Sequence, residues 1–263
     1  MRYFKSMSLG CLLVAFAVGK CEAKTIYVHY PHSIQAAVAA AKPGDTVQVD
    51  AGTYREQVTI STQNIELAGA PGAILDGTTF GGKSAGFTNI GVNISATGCF
   101  IHGLTVRNYG VGIEMNDALL RVESNTATGC GIGILSAFPP EDSSLKSMVD
   151  YNICNGNDVG IELDNSLSVS VTLNIANRNS DTGIALVDGV QGCSITLNQT
   201  LNNGGSGNNN DGIYVEFTCS GNMLVLNTSL LNNNWDAEDN SGEIFGQPQN
   251  TWLLNLVGTK TGF

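Results

Sequence analysis

The fold is decided by the stretch Gly160-Ile161-Glu162-Leu163 and its companion Val171-Thr172-Leu173-Asn174, which together form one copy of a recurring unit. The first motif, a Gly-Ile pair that opens an alternating segment, also occurs at Gly112-Ile113, Gly133-Ile134, Gly183-Ile184 and Gly212-Ile213. The second motif, an apolar alternation that ends in Asn, recurs at Asn125, Asn152, Asn198, Asn227 and Asn255. Two markers that keep one period of about 25 residues indicate an internal repeat.

Each repeat predicts two or three strands of a few residues, joined by turns rich in Gly, Asn and Ser. Strands this short bury an apolar face only when successive units stack and share one continuous core. No unit contains a helical period free of Gly or Asn, and the consensus of a leucine-rich repeat is missing. A propeller blade needs longer strands than these. We therefore predict an all-β fold, a single-stranded parallel β-helix of about eight or nine coils.

The recurring Asn is expected to occupy the same turn in every coil. Its amide group then hydrogen-bonds to the Asn residues above and below it. Asn also tolerates the left-handed backbone conformation that such turns require.

The segment after the first strand predicts a short helix that caps the stack. Ser33 is a suitable N-cap for a helix over residues 34–41, and Pro43-Gly44 ends it. A solenoid exposes an apolar cross-section at its first coil, and an amphipathic helix covers it.

The same opening carries a family resemblance. Ser33-Ile34-Gln35-Ala36-Ala37, Pro43-Gly44-Asp45-Thr46-Val47 and Ala51-Gly52-Thr53-Tyr54-Arg55-Glu56 resemble the first coil of right-handed parallel β-helix proteins of the pectin-lyase-like superfamily. The resemblance covers about residues 25–257, and the group has carbohydrate-binding and sugar-hydrolase-type repeats. It implies a right-handed β-helix and a polysaccharide partner. The group includes lyases, epimerases, hydrolases and proteins of no known reaction.

The N-terminus predicts export. Residues 1–23 combine a basic start, an apolar stretch too short to span a bilayer and a cleavage site at Cys21-Glu22-Ala23, which is typical of a signal peptide. We expect a secreted or periplasmic protein without membrane insertion, whose residues 24–263 form one β-helix domain. Its five remaining cysteines have no zinc-type spacing and are expected to be small buried residues. One disulfide between neighbouring coils is the alternative.

The charge balance excludes one class of partner. The chain has 12 basic and 23 acidic residues, a net charge of −11, which provides no electrostatic footprint for nucleic acid. We expect a monomer that binds a polysaccharide.

Alternation places acidic side chains on one outward face. If Ile161 and its equivalents point inward, Glu162, Asp164, Tyr214 and Glu216 point outward, and Arg178 is the nearest cation. These five residues are our candidate catalytic residues. They suit proton transfer on a uronic acid whose carboxylate a cation neutralises. Asp164 and Glu216 are expected to lie two coils, about 9.6 Å, apart, near the upper end of the range for an inverting glycosidase.

The turns that flank this face add Asp158, Asp181 and Asp211. Carboxylates from adjacent coils are the hard oxygen ligands that Ca²⁺ prefers. We therefore predict a Ca²⁺ site, through which an acidic protein holds an anionic sugar polymer. An ordinary solvated acidic face explains the same pattern without any function.

The residues leave two hypotheses about function. The first is a lyase or C5-epimerase acting on an extracellular uronic acid polysaccharide, and a glycoside hydrolase is a weaker form of it. The second is a non-catalytic polysaccharide-binding or envelope scaffold. The Asn-Thr-Asp and Gly-His-Gly motifs of polygalacturonases and the Asp-Pro-His-Glu run of mannuronan epimerases do not occur in this sequence. No family catalytic residue is therefore carried over by motif.

Overall fold

The predicted parallel β-helix is confirmed by a computed structural model, which describes residues 22–137, 145–205, 210–242 and 249–262. The described residues form 27 short strands, and every strand pair among them is parallel. Short strands follow from the sequence, because Gly, Asn and Ser interrupt each apolar alternation after a few residues.

The first strands in chain order are β1 (Thr25–Val28), β2 (Thr46–Val49), β3 (Gly52–Tyr54), β4 (Val58–Ile60), β5 (Glu66–Gly69), β6 (Ala73–Asp76), β7 (Ile90–Ile94), β8 (Phe100–His102), β9 (Thr105–Arg107), β10 (Val111–Met115), β11 (Arg121–Glu123), β12 (Thr126–Thr128) and β13 (Ile132–Ser136). The remaining strands are β14 (Ser147–Asp150), β15 (Ile153–Cys154), β16 (Val159–Asp164), β17 (Val169–Thr172), β18 (Ile184–Val187), β19 (Ser194–Thr196), β20 (Gln199–Leu201), β21 (Ile213–Val215), β22 (Met223–Val225), β23 (Thr228–Leu230), β24 (Ala237–Asp239), β25 (Thr251–Leu253), β26 (Leu256–Val257) and β27 (Lys260–Thr261).

The strands stack into three sheets that wrap around one core. Sheet A has ten strands in the order β1-β2-β5-β8-β11-β14-β17-β19-β22-β25, and sheet C has nine strands from β4 to β27. Sheet B consists of β3-β6-β9-β12-β15 and β20-β23-β26, which Ile175 joins by bridging Ile153 and Gln199. One coil runs from A through B to C, so β2 opens coil 1 and β25 opens coil 9. The nine coils agree with the expected eight or nine.

The core is built from residues that repeat at the same place in successive coils. Ile113, Ile134, Ile161, Ile184 and Ile213 are fully buried in sheet C and pair with one another from coil to coil. Because side chains alternate along a strand, one inward column leaves the next column facing outward. The register predicted from the Gly-Ile motif is therefore confirmed.

The capping helix α1 spans Ile34–Ala40, one residue shorter than predicted. Ser33 caps it, because its Oγ accepts a hydrogen bond from the N–H of Ala36 at 3.1 Å. Glu56 from coil 1 accepts from the N–H groups of Ile34 and Gln35 at 2.7 and 3.1 Å. These bonds satisfy free donors of the first turn and fix the helix on the stack, where Ile34 and Val38 are buried.

The predicted asparagine ladder is present between sheets A and B. Asn174 Nδ2 donates to Asn198 Oδ1 at 3.0 Å and to the carbonyl oxygen of Val149 at 2.7 Å. Asn174 Oδ1 in turn accepts from the backbone N–H of Asn152 at 2.8 Å. The same pattern links Asn125, Asn152, Asn174, Asn198, Asn227 and Asn255.

A second ladder, which the sequence analysis missed, lies between sheets B and C. It contains Asn157, Asn179, Asn203 and Asn232, and Asn179 Nδ2 donates to Asn203 Oδ1 at 3.0 Å. Each of its members follows a member of the first ladder by five residues, for example Asn179 after Asn174. That constant spacing is the signal that identifies the second ladder.

The predicted signal peptide lies almost wholly outside the described residues. Within the ranges that the structure describes, no helix is both long and apolar enough to cross a membrane. The described cysteines, Cys99, Cys130, Cys154, Cys193 and Cys219, are all buried free thiols. They therefore act as small core residues, and the disulfide that the sequence left open is not formed.

The first ladder predicts that Asn174→Ala destabilises the fold. The substitution leaves the buried N–H of Asn152 without its side-chain acceptor and removes the donors to Asn198 and Val149. We expect the free energy of unfolding to fall by roughly 2–4 kcal/mol, measured by urea unfolding with circular dichroism. Asn233→Ala is the matched control, because Asn233 is exposed and outside both ladders. Equal losses in the two variants would contradict a structural role for the ladder.

Candidate functional site

The outward face of sheet C carries the predicted acidic residues. Its first outward column, from coil 3 to coil 8, is Glu114, Leu135, Glu162, Ala185, Tyr214 and Glu238. Glu162 and Tyr214 therefore lie two coils apart with only Ala185 between them. Because the side chain of Ala185 is small, it does not fill the space between Glu162 and Tyr214.

The second outward column contains Asp164, Val187 and Glu216. Asp164 pairs with Val187, and the N–H of Glu216 donates to Leu186 O at 2.9 Å, which places Glu216 two coils from Asp164. This separation is the one expected from the sequence, about 9.6 Å. Glu216 Oε2 accepts hydrogen bonds from the N–H of Asp188 at 2.6 Å and from Thr218 Oγ1 at 2.8 Å. Its carboxylate thus orders a turn.

Glu162 is the carboxyl group of the first outward column whose pKa lies near neutrality. Burial, together with the negative charges of Asp164, Asp181 and Asp188, raises the pKa of Glu162 to about 7. Burial and the charges of Asp188 and Glu216 also raise the pKa of Asp164. A carboxyl group with a pKa near neutrality exchanges its proton readily, which is what a general acid or base needs.

Glu162 lines a cleft with a volume of about 290 Å³. The opposite wall is the segment between β6 and β7, which forms two 3₁₀ turns at Gly77–Phe80 and Gly82–Thr88. Gly81 permits the sharp change of direction between the turns, because its φ of 89° is unfavourable for other residues. The residues that shape the cleft are Lys83, Phe87, Ile132, Asp158, Val159 and Glu162.

Lys83 and Phe87 are functional candidates that the sequence analysis missed. Lys83 Nζ lies 2.7 Å from Asp158 Oδ1, and both side chains are about half exposed. Phe87 is 67% exposed, which is unusual for an aromatic side chain and leaves a platform at the rim of the cleft. The signal in the sequence was the length of the glycine-containing segment 77–89, because the turns that join strands within the repeat are shorter.

The predicted catalytic cation, Arg178, is not brought into contact with the carboxylates. It lies in the turn between sheets B and C, is exposed, and has a φ of 54°. Its backbone N–H donates to Leu201 O, and it belongs to none of the ion pairs among the described residues. Lys83 is the basic side chain that lines the cleft with Glu162. A catalytic role of Arg178 stays a prediction.

Two of the predicted Ca²⁺ ligands are neighbours. The N–H of Asp181 donates to Asp158 O at 2.9 Å, so these residues occupy the same place in adjacent coils. Besides Lys83, Asp158 Oδ1 accepts from Ser180 Oγ at 2.6 Å, and Asp181 Oδ1 accepts from the N–H of Asn210 at 2.9 Å.

The carboxyl group of Asp211 bonds instead to residues of the next coil. It is fully buried, and its Oδ1 accepts from the N–H of Trp235 at 2.9 Å. Burial and the neighbouring Glu238 raise the pKa of Asp211. Across the described ranges, no three His, Cys, Asp or Glu side chains come together as metal ligands. The Ca²⁺ site stays a prediction.

Side chains that suit softer metals are occupied elsewhere. Burial raises the pKa of the Cys130 and Cys193 thiols to about 11, which keeps them protonated at neutral pH. His29 Nδ1 lies 2.5 Å from Asp50 Oδ2, and His102 Nε2 lies 3.0 Å from Glu66 Oε1. His29 directly follows β1 and His102 lies in β8, so these two histidines are far apart in the stack.

Comparison with known proteins identifies similar sequences and folds. The family model described as periplasmic copper-binding protein (NosD) matches residues 40–260. Pectate lyase Pel9A has a TM-score of 0.61 at 16% identity, covering 80% of this chain and 64% of the lyase. ORF18 of Geobacillus virus E2 has a TM-score of 0.61 at 15% identity, covering 78% of this chain and 46% of that protein.

Rice weevil pectin methyl esterase has a TM-score of 0.54 at 11% identity, covering 88% of this chain and 87% of the esterase. At such identities the similarity is one of fold. The chain spans about half of the length of the viral protein and about two thirds of the length of the lyase. A search of curated proteins gave no match.

The raised pKa predicts that Glu162→Gln changes the pH dependence of stability. The carboxyl group titrates at its ordinary value of 4.5 in the unfolded chain and at about 7 in the folded one. Between these values the folded state binds more protons, so the contribution of Glu162 to the free energy of unfolding decreases as pH rises. We expect the stability of the variant, relative to the natural protein, to increase across this window and to level off above it.

Urea unfolding at a series of pH values measures this difference. A difference between the variant and the natural protein that is the same at every pH would contradict the raised pKa.

Proposed function

We propose that this chain, which belongs to the periplasmic NosD family of parallel β-helix proteins, acts on an extracytoplasmic polysaccharide at the cleft of sheet C. The family match covers most of the chain and agrees with the extracytoplasmic location predicted from the sequence. The proposed reaction is proton transfer at C5 of a uronic acid unit, as in a lyase or a C5-epimerase.

The observation that carries this proposal is that a cation and a carboxyl group with a near-neutral pKa line the same cleft. Lys83 and Glu162 line the same cleft, and the pKa of Glu162 is about 7. Removal of a proton next to a carboxylate requires a base and a positive charge that stabilises the electrons left behind. Glu162 has the proton affinity for the first role, and Lys83 has the charge for the second.

In the proposed reaction, ionised Glu162 takes the C5 proton and Lys83 neutralises the sugar carboxylate. In a lyase the electron pair forms a C4–C5 double bond, and the C4–O4 bond breaks as the leaving oxygen takes a proton from water. In an epimerase, water on the opposite face of the ring returns a proton to C5. Phe87, exposed at the rim of the cleft, offers an apolar surface for a sugar ring.

The acidic surroundings of the cleft favour a role for divalent cations. Asp164, Asp181 and Asp188 carry negative charge near Glu162, and this charge repels an anionic polymer. Bound Ca²⁺ would supply bridging positive charge between these carboxylates and the sugar. Asp158 and Asp181, which lie in adjacent coils, are the residues that we propose would hold it.

The copper in the family description does not fit the described residues. The cysteines are buried, His29 and His102 pair with carboxylates, and His32 Nδ1 hydrogen-bonds with the carbonyl oxygen of His29. The described part of the chain brings no three candidate ligands together. No step of the proposed reaction uses copper.

A second candidate function is a non-catalytic polysaccharide-binding scaffold. It is favoured by Glu216, whose carboxylate is engaged in holding the turn at Asp188 and Thr218. The same bonds argue against Glu216 as a partner of Asp164 in a glycoside hydrolase. A scaffold needs the surface of the cleft but not the proton affinity of Glu162.

Glu162→Gln predicts loss of turnover with little loss of binding. The amide keeps the shape of the side chain but neither takes nor gives a proton, so we expect kcat to fall about 10²–10⁴-fold with KM nearly unchanged. Lys83→Gln should lower kcat as well, because the lost charge stabilises the electrons left behind in the transition state. Activity on alginate, polygalacturonate and chondroitin, with and without Ca²⁺, is followed by ultraviolet absorbance of unsaturated ends and by proton NMR of C5 configuration.

Glu114→Gln is the matched control, because Glu114 occupies the same column two coils away and does not line the cleft. An equal loss of kcat in this control would contradict the assignment to Glu162. If the natural protein catalyses no reaction but is retarded in polysaccharide-containing gels, the enzymatic function is wrong and the scaffold function takes its place.

A further inference from the structure

A second cleft, which we call the N-terminal pocket, lies at the capped end of the stack. It has a volume of about 420 Å³ and is formed by the segment between β1 and α1 and by the end of β3. The lining residues that define its chemistry are Tyr30, Tyr54, Arg55 and Glu56. They belong to coil 1 and to the segment before it, whereas residues of coils 2 to 5 line the cleft of sheet C. The two clefts are therefore separate sites.

One wall of the N-terminal pocket is the aromatic ring of Tyr30, which is 54% exposed but fixed in place. It meets the buried ring of Tyr54 edge to face, with the ring centroids 5.6 Å apart. Tyr54 is itself anchored, because its hydroxyl donates to the carbonyl oxygen of Asp50 at 3.1 Å. Gly52 lets the Tyr30 ring lie against β3, since a Cβ at Gly52 would be 2.8 Å from the ring carbons. The exposed part of the ring is thus a rigid apolar surface.

The other feature of the N-terminal pocket is a cation without an ionic partner. Arg55 is exposed and belongs to none of the ion pairs among the described residues. The carboxylate that lines the same pocket, Glu56, is already engaged. It accepts hydrogen bonds from Ser33 Oγ at 2.6 Å and from two N–H groups of α1. These donors offset the charge of Glu56 and leave the charge of Arg55 available to a ligand.

We propose that the N-terminal pocket binds the carboxylated ring of a uronic acid unit. The planar guanidinium of an arginine offers two parallel N–H donors to a carboxylate, and an exposed aromatic ring offers an apolar surface to a sugar ring. Arg55 makes the first contact and Tyr30 makes the second. Because the chain has a net charge of −11, an unpaired cation at one end gives an anionic polymer a favourable point of first contact.

This inference rests on the proposed function for the kind of ring, a sugar, whereas the requirement for an anion follows from Arg55. The proposed reaction uses Glu162 and Lys83, and the N-terminal pocket uses neither residue. Each proposal can therefore fail while the other holds.

The test is a titration of the full chain with glucuronate, followed by heteronuclear NMR of the Arg55 Nε–H group. We expect a saturable shift of this signal with a Kd on the order of 10⁻³ M. Arg55→Gln should weaken the binding at least tenfold, because it removes the charge-assisted hydrogen bonds. Binding to this variant is followed by the backbone N–H signals of Thr53 and Glu56. Tyr30→Ser should weaken binding several-fold through loss of the apolar contact.

Two matched controls remove a similar side chain outside the N-terminal pocket. Lys42→Gln removes one exposed cation at the same end of the stack, and Tyr27→Ser removes a tyrosine of β1 that is 62% exposed. Both controls should bind glucuronate like the natural protein. Circular dichroism and urea unfolding check that every variant folds. If Tyr30→Ser unfolds, the comparison of Arg55→Gln with Lys42→Gln still decides the outcome.

A natural protein without saturable binding would overturn the inference, and so would Arg55→Gln that binds as tightly as the natural protein. Glucose that binds as tightly as glucuronate would show that the charge is not recognised. Inorganic phosphate that binds as tightly would show that the ring is not recognised. Either result would overturn the assignment to a uronic acid. Glucuronate binding at Arg55 in a protein that transforms no polysaccharide would contradict the proposed reaction alone.

Discussion

In-register stacking of the coils is the constraint on which the rest of this structure depends. Each strand has only a few residues, and its inward side chains are buried only by the coils above and below. At the turns, Asn174 and its equivalents supply both a donor and an acceptor to the neighbouring coil, which satisfies backbone groups that leave the sheets. The ladders thus hold the turns at the same pitch as the strands.

One register places different chemistry on different faces of the same solenoid. Because outward side chains line up in columns, Glu162 stands among carboxylates from neighbouring coils, and their charge together with burial raises its pKa. The same stacking aligns Leu173, Leu197 and Leu226 on an edge that is free of charge. The acidic sheet C is therefore the face suited to cations and a polymer.

Much of the candidate site was predictable where it lies within the repeat. Glu162, Asp164, Tyr214 and Glu216 face outward as alternation requires, and their two-coil separations follow from the Gly-Ile motif. Lys83 was not predictable, because it is 75 residues before its partner Asp158 and lies in a segment that interrupts the repeat. Only the path of that segment across sheet C decides what it contacts.

By itself, the sequence determined the β-helix, the inward columns and the first asparagine ladder, because a periodic pattern specifies which residues are equivalent from coil to coil. The tertiary structure alone decided the proton affinity of Glu162, the Lys83–Asp158 pair and the absence of Arg178 from the ion pairs among the described residues. These properties depend on distances between residues that are not equivalent and on the depth to which each is buried. Periodicity carries no information about either.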